Sequence, residues 1–341
     1  MTFFDAILSG RASALALTCA VLAATACGCS KPVTLAVGPA GDISIITDLP
    51  EDSPEVRALV DGLEVEIVII RPEVAFNVEV SDFKGFDIRR NWRNLILLGS
   101  LDEGSRVSDT IENLLGEKDR AELERGERNL FLIRDRWAIG QLIAVLATPD
   151  RGSLLEAVRG NSKTLYDTFE RATVENTYRI LLKKDLQRDT ARYLERTYGW
   201  SLLVPEAFEV SEDAESKIVL FRAVDPARMI LVHWIDDYDK PLTAQDCLDL
   251  RAKLAWNVYD EDVIAPDMTE TEETSFLGRP AIKIVGVWQN EKHINGGPFR
   301  TYCFMDGKRL YLVDMLVYAP GMDKIPFLRE LEAICRTFST G

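Results

Sequence analysis

Residues 274–338 read TSFLGRPAIKIVGVWQN, then EKHINGGPFRTYCFMDGKRLYLVDMLVYAPG, then MDKIPFLRELEAICRTF. Three strand-like apolar runs follow one another with Gly-bearing turns between them, and the last segment is amphipathic with a helical period. This order predicts a sheet with a helix laid across it. The Trp-bearing stretches around Trp200 and Trp234 feed the same core.

Working outward, Tyr198-Gly199-Trp200 ends a helix with a Gly C-cap and opens this C-terminal region. Strands are expected over 201–205, 217–222 and 229–235. A helix is expected over 243–259 with Thr243 as N-cap, and then an acidic loop over 260–273. Upstream, residues 42–197 carry their own strands: Ile43 with Ile45 and Ile46, the run 65–70, the alternation Val74, Phe76, Val78, Val80, and runs at 94–98, 130–133 and 141–147. The run 94–98 does not alternate, as expected of a strand buried on both faces. Asp52-Ser53-Pro54-Glu55 marks a helix start. Residues 106–115 form a short helix, 117–128 a solvated charged face, and 161–198 a long helical tract broken once. The fold class is therefore α+β, with mostly antiparallel sheets packed with helices. Two α/β-sandwich-like halves, 42–197 and 198–341, follow an N-terminal lipoprotein signal.

That signal is read from Arg11, an apolar run over 12–26 too short to span a bilayer comfortably, and Ala24-Thr25-Ala26-Cys27-Gly28-Cys29-Ser30. Small residues ahead of a Cys are the pattern at which a leader is cut and the thiol acylated. Cys27 and Cys29 both fit; Gly-Cys-Ser favours Cys29, so residues 1–28 are the signal. The alternative is an ordinary secretory signal with two spare Cys. Residues 29–41, rich in Pro and Gly, read as a flexible tether. Several acyl chains anchor a protein stably where one does not. The expected place is the cell envelope, on the periplasmic face of the outer membrane, because Gly or Ser rather than Asp follows the Cys.

Composition narrows the chemistry. The chain carries 40 Lys and Arg against 55 Asp and Glu, a net charge of −15, so a phosphate backbone is repelled and nucleic acid is not expected as a partner. There are 2 His, and no H-x-H, HExxH or C-x-x-C pair, so no metal site, catalytic set or cofactor is assigned. His233 lies in a strand between Val232 and Trp234 and reads as structural. His293 precedes the pair Gly296-Gly297, which either turns its N–H groups on an anion or sets a loop conformation before a strand at Pro298. Trp288, His293, Gly296, Gly297 and Phe299 are the candidate binding residues there. Lys184, Arg188, Arg192 and Arg196 recur every four residues. They read as a docking ridge for an anionic headgroup or acidic partner, or as a solvated face balanced by Asp185, Asp189 and Glu195. Cys247, Cys303 and Cys335 lie in apolar patterns; Cys303 and Cys335 pair as a bridge, or all three are buried thiols.

Several short pieces, taken in order, resemble the DUF4837 family of bacterial lipoproteins. They are Arg93-Asn94-Leu95-Ile96; Trp137-Ala138 with Gln141; Tyr198-Gly199-Trp200-Ser201-Leu202 with Pro205; Gly286-Val287-Trp288 leading to Gly296-Gly297-Pro298-Phe299; and Val317-Tyr318-Ala319-Pro320 with Lys324. The Gly-Gly-Pro-Phe piece is the most specific. The first helix departs from the pattern, having Asp52-Ser53-Pro54 where a Trp-Gly element is expected. The resemblance implies a lipoprotein and no catalytic residue. The C-terminal region also looks like a PsbP-like (Mog1-type) module through its Trp-x-Leu-x-x-Pro opening, Gly-Arg-Pro-Ala turn, hairpin and final helix, which implies an antiparallel sheet between helices.

The function expected is that of a lipid-anchored envelope protein, a non-catalytic binding or scaffold module for an envelope protein, lipid or glycan. The alternative is an envelope hydrolase using His293 and scattered carboxylates such as Asp82, Asp267 and Asp314 near the Gly296-Gly297 segment. Convergence of two carboxylates and His293 in one concave pocket would favour that alternative.

Overall fold

Two apolar strands without alternation, Asn94–Ser100 and Leu142–Thr148, are buried along their whole length. A strand of this kind needs cover on both faces, which a parallel sheet with crossover helices provides. The computed structural model describes residues 34–68 and 71–341, and the unit starting at Thr34 is compact. Cys27, Cys29 and the rest of the expected signal, residues 1–28, lie outside the described residues.

The first sheet has β1 (Asp42–Ile46), β2 (Asn77–Ser81), β3 (Asn94–Ser100), β4 (Leu130–Arg134) and β5 (Leu142–Thr148), in the order β2-β1-β3-β5-β4. Its first four neighbours in that order run parallel and only β4 is antiparallel. In the mostly antiparallel α+β fold this sheet is the exception, and its helical crossovers are the reason. Helices α1 (Pro54–Leu63) and α5 (Leu154–Leu181) cover one face, while α2 (Phe83–Arg89), α3 (Arg106–Leu114) and α4 (Glu117–Glu124) lie on the other. Helix α1 starts as the sequence predicts, with Pro54 in its first turn and the Ser53 side chain accepting from Val56 N–H.

The second sheet is antiparallel throughout. Its strands are β6 (Glu209–Asp213), β7 (Ile218–Val224), β8 (Ala227–Ile235), β9 (Val263–Ile264), β10 (Glu270–Phe276), β11 (Arg279–Asn290), β12 (Asn295–Asp306) and β13 (Arg309–Tyr318). The order is β6-β7-β8-β13-β12-β11-β9, with β10 also paired to β11. One face packs on α6 (Arg188–Tyr198) and α8 (Ile325–Cys335), and the other on α7 (Ala244–Val258). The sheet with a closing helix laid across it is thus as the sequence predicts.

Several boundaries differ from the sequence reading. The 65–70 run gives only a strand at Glu66–Val68, in a hairpin with Pro72–Val74 rather than in the main sheet. Asn77–Ser81 continues past that hairpin as an edge strand. The long helical tract begins at Leu154, seven residues early, because Asp150 caps the turn before it by accepting from Ser153 N–H. The tract breaks at residues 182–187. Of the 201–205 run only Trp200–Ser201 is a strand, paired with Ser339–Thr340. Residues 34–41, expected as part of a flexible tether, are docked instead: Thr34–Leu35 runs beside Ala138–Ile139, and Arg93 N–H donates to Val37 C=O at 2.9 Å.

The bridge between Cys303 and Cys335 is not made. Cys335 packs on the α8 face of the sheet and Cys303 on the α7 face beside Cys247, so the sheet itself separates them. Cys247 and burial push the Cys303 thiol up, and burial pushes Cys335 up, so neither is a reactive thiolate. Peptide mapping after iodoacetamide treatment should show Cys247, Cys303 and Cys335 unmodified in the folded chain and all three modified in denaturant.

Candidate functional site

Helix α7 is 15 residues long and ends at Val258, short of the far end of the strands it covers. Its apolar side, with Cys247, Leu254 and Ala255, sits on Leu231, Leu312 and Cys303. Beyond its last turn the sheet face is open, and a cavity of about 460 Å³ lies there. The floor is Leu220, Met229, Leu316 and Tyr318. One wall is the end of α7 with Tyr259, Asp260 and Asp262, and another is the β11–β12 hairpin with Trp288, Asn290, His293 and Asn295.

Asn290 holds these two walls together. It is 4% exposed; its amide nitrogen donates to Asp260 C=O and to Asp262 Oδ1, both at 2.8 Å, and its oxygen accepts from His293 N–H at 2.9 Å. His293 Nε2 lies 2.5 Å from Asp260 Oδ2, and Lys292 Nζ donates to Asp260 Oδ1 at 2.8 Å. The bond from Lys292, then that from His293, holds the Asp260 carboxyl below its usual value. Asp262 differs: burial pushes its pKa up, against the opposing bond from Asn290. Beneath the wall, Asp314 accepts from Thr301 Oγ1 at 2.5 Å, from Tyr259 OH at 3.2 Å and from Arg251 Nε at 3.5 Å. Arg251 stacks its guanidinium 3.7 Å from the centre of the Phe299 ring.

The segment read as a Gly-rich loop is strand. Gly296, Gly297 and Phe299 all lie within β12, and the hairpin turn is residues 291–294. Neither Gly takes a positive φ. Gly297 is small because a Cβ there would meet Val317 O at 2.0 Å and Trp288 Nε1 at 3.0 Å. Register explains the motif: Gly297 pairs with Trp288 and Gly286 with Phe299, each aromatic ring lying opposite a residue without a side chain. A Cβ at Gly286 would meet the Phe299 ring at 2.8 Å. The anion-binding alternative for this pair therefore has no loop to act through.

The basic ridge is also altered. Lys184 lies in the break between α5 and α6, so only Arg188, Arg192 and Arg196 share a helix. Lys184 approaches Glu330 at 3.5 Å, and Arg192 pairs with Asp189. Of the carboxylates singled out for hydrolysis, Asp82 caps α2, Asp267 lines a separate groove with Glu170 and Arg300, and Asp314 is buried. None of them reaches His293. His233 is structural: its Nδ1 lies 3.0 Å from Lys217 C=O, and burial lowers its pKa. Asp260 and Asp262 do share a pocket with His293, although the sequence marks them only as part of an acidic loop. The sequence signal that singles them out is slight: two Asp directly after a capped helix.

Residues 187–337 match the family model Domain of unknown function (DUF4837). The Tyr198, Gly286 to Phe299 and Val317 to Lys324 pieces fall inside these DUF4837 residues; Arg93-Asn94-Leu95-Ile96 and Trp137 with Gln141 fall outside. No curated protein matches the chain. Among solved structures it is similar to a protein of Bacteroides thetaiotaomicron (13% identity, TM-score 0.28), covering 42% of this chain and 45% of that one. It is also similar to the cyanobacterial PsbP protein CyanoP of Synechocystis sp. PCC 6803 (14%, TM-score 0.29; 42% and 87%) and to LpqN of Mycobacterium tuberculosis, described as involved in cell envelope biogenesis (12%, TM-score 0.28; 42% and 83%).

Gly297→Ala should destabilise the chain by about 1–3 kcal/mol, toward the upper end because the clash is with backbone, and urea unfolding measures it. Asp262 gives a pH signature. Its folded pKa stands above the unfolded value, so the stability it contributes is full below the usual Asp value of 3.8 and is lost as pH rises through the folded pKa. Urea midpoints taken from about pH 3 to about pH 7 should show Asp262→Asn becoming more stable relative to the parent as pH rises.

Proposed function

We propose that this chain is a lipid-anchored protein of the cell envelope whose folded body is a non-catalytic binding module. The pocket between the end of α7 and the β11–β12 hairpin is the observation that carries the binding reading. It has an apolar floor, a small set of converging polar groups and a size suited to a small molecule. The Ala24 to Ser30 stretch supports the anchor, with Cys29 ahead of Cys27 as the acylated residue. The periplasmic face of the outer membrane is the expected location, and the ligand comes from the envelope.

A second reading, an envelope hydrolase, is favoured by one specific observation: His293 bonded to Asp260 with Asp262 in the same concavity. A histidine bonded to one carboxyl group, with a second carboxyl beside it, is the kind of pairing such chemistry uses.

Mass spectrometry of the protein purified gently from membranes tests the first reading. The N-terminal peptide should begin at an acylated Cys29 or Cys27, and native spectra should carry a small non-covalent ligand that Tyr318→Ala loses. An unacylated N-terminus sinks the anchor, and an empty native spectrum sinks the binding module. Conversion of the released molecule by fresh protein, abolished in His293→Ala, would move the assignment to the hydrolase.

A further inference from the structure

The open sheet face carries a charge asymmetry that decides what can lie on it. Leu220, Met229 and Leu316 give it an apolar floor. The wall at the end of α7 is acidic. Asp260 and Glu261 both take the left-handed conformation, φ +57° and +72°, and bring the chain sharply round from the helix to Asp262. Asp260 and Asp262 thus line the cavity where α7 presents its own C-terminal carbonyls, the negative end of the helix dipole.

The nearby cations are spent mainly on Asp260 and Asp314 and none donates to Asp262. Lys292 and His293 both engage Asp260. Arg251 is bonded to Asp314. Arg222 stands on the opposite rim, between Leu220 and Ala227. Asp262 is 5% exposed and receives only Asn290, on Oδ1. A second observation points to a ligand: Asp262, although nine-tenths buried, keeps Oδ2 without a donor among the described residues on the cavity wall. A buried polar atom left without a partner is costly unless something supplies one.

We infer that the pocket takes a small amphipathic ammonium, its apolar body on Leu220, Met229 and Leu316 and its charged nitrogen at Asp262. An ammonium brings donors to the free carboxylate oxygen and complements the acidic wall. A carboxylate or phosphate head in the same place faces Asp260, Asp262 and the α7 terminus together, and is repelled. This inference rests on the binding reading above and specifies its ligand class.

The test uses three probes of equal tail, octylammonium, octanoate and octyl glucoside, each below its micelle-forming concentration. They are titrated by calorimetry into the full-length chain carrying Cys27→Ser and Cys29→Ser, which has no acyl anchor. Octylammonium should bind at least about tenfold tighter than octanoate, and Asp262→Asn should remove that preference. Asp260→Asn, at a solvent-exposed position, should reduce the preference and serves if Asp262→Asn does not fold. Octanoate or octyl glucoside binding as tightly as octylammonium overturns the ligand class and leaves the binding module standing. An unchanged preference in a folded Asp262→Asn overturns the placement of the nitrogen. If none of the three binds by about 1 mM, the pocket is not a site for amphipathic molecules and this inference falls, while the binding module stands or falls by its native spectrum.

Discussion

The closing helix α8 is the element on which the two sheets depend. It lies between the antiparallel sheet and α5, and eight of its eleven residues are buried. An amphipathic helix on a single sheet would leave one side in water; this one is covered on both. Its polar residues are used accordingly. Arg329, 4% exposed, donates to Glu170 and to Ala75 C=O, and Lys324 donates to Glu73. On the other side Glu332 accepts from Arg300 and Tyr302 of β12. Buried charges of this kind are tolerated only when paired, so each pair ties the helix to a neighbour (α5, the hairpin at Pro72–Val74 or β12) as well as satisfying itself.

The α7 face follows the opposite logic. Here one helix of 15 residues covers strands of up to 12 residues across an eight-stranded sheet, and the cover runs out. The exposed end of the face is kept in shape by the cross-strand pairs Gly286–Phe299 and Trp288–Gly297 and by Asn290, which joins the hairpin to the end of α7. The pocket is therefore the part of the core that no helix completes. Its floor is core-like, and its polar groups come from the two chain reversals at its edge.

Much of the fold was legible because it rests on local pattern. The Ser53-Pro54 and Thr243 helix starts, the Gly199 cap, the doubly buried run at 94–98 and the strand–strand–strand–helix order of the C-terminal block all lie where periodicity and capping put them. The errors came where a pattern had two physical causes. Gly296-Gly297 looked like a turn because glycine commonly serves positive φ; here it serves close approach of Val317 and Trp288, which depends on a strand 20 residues further along the chain. The four-residue recurrence of Lys184, Arg188, Arg192 and Arg196 suggested one ridge, yet the helix breaks before Arg188. Cys303 and Cys335 both sit in apolar runs, and no run says which face of a sheet it occupies.

The sequence by itself determined the α+β class, the acidic charge, the scarcity of histidine and most element positions, because each is set by composition or by contacts within a few residues. Tertiary structure decided the site. Asp260 and Asp262 meet His293 only because α7 stops short, the chain reverses through two left-handed residues, and β11 and β12 bring the hairpin tip back over the helix end. Pairing partners some thirty residues apart is the work of sheet register and helix length together, and neither can be read from the acidic run that carries them.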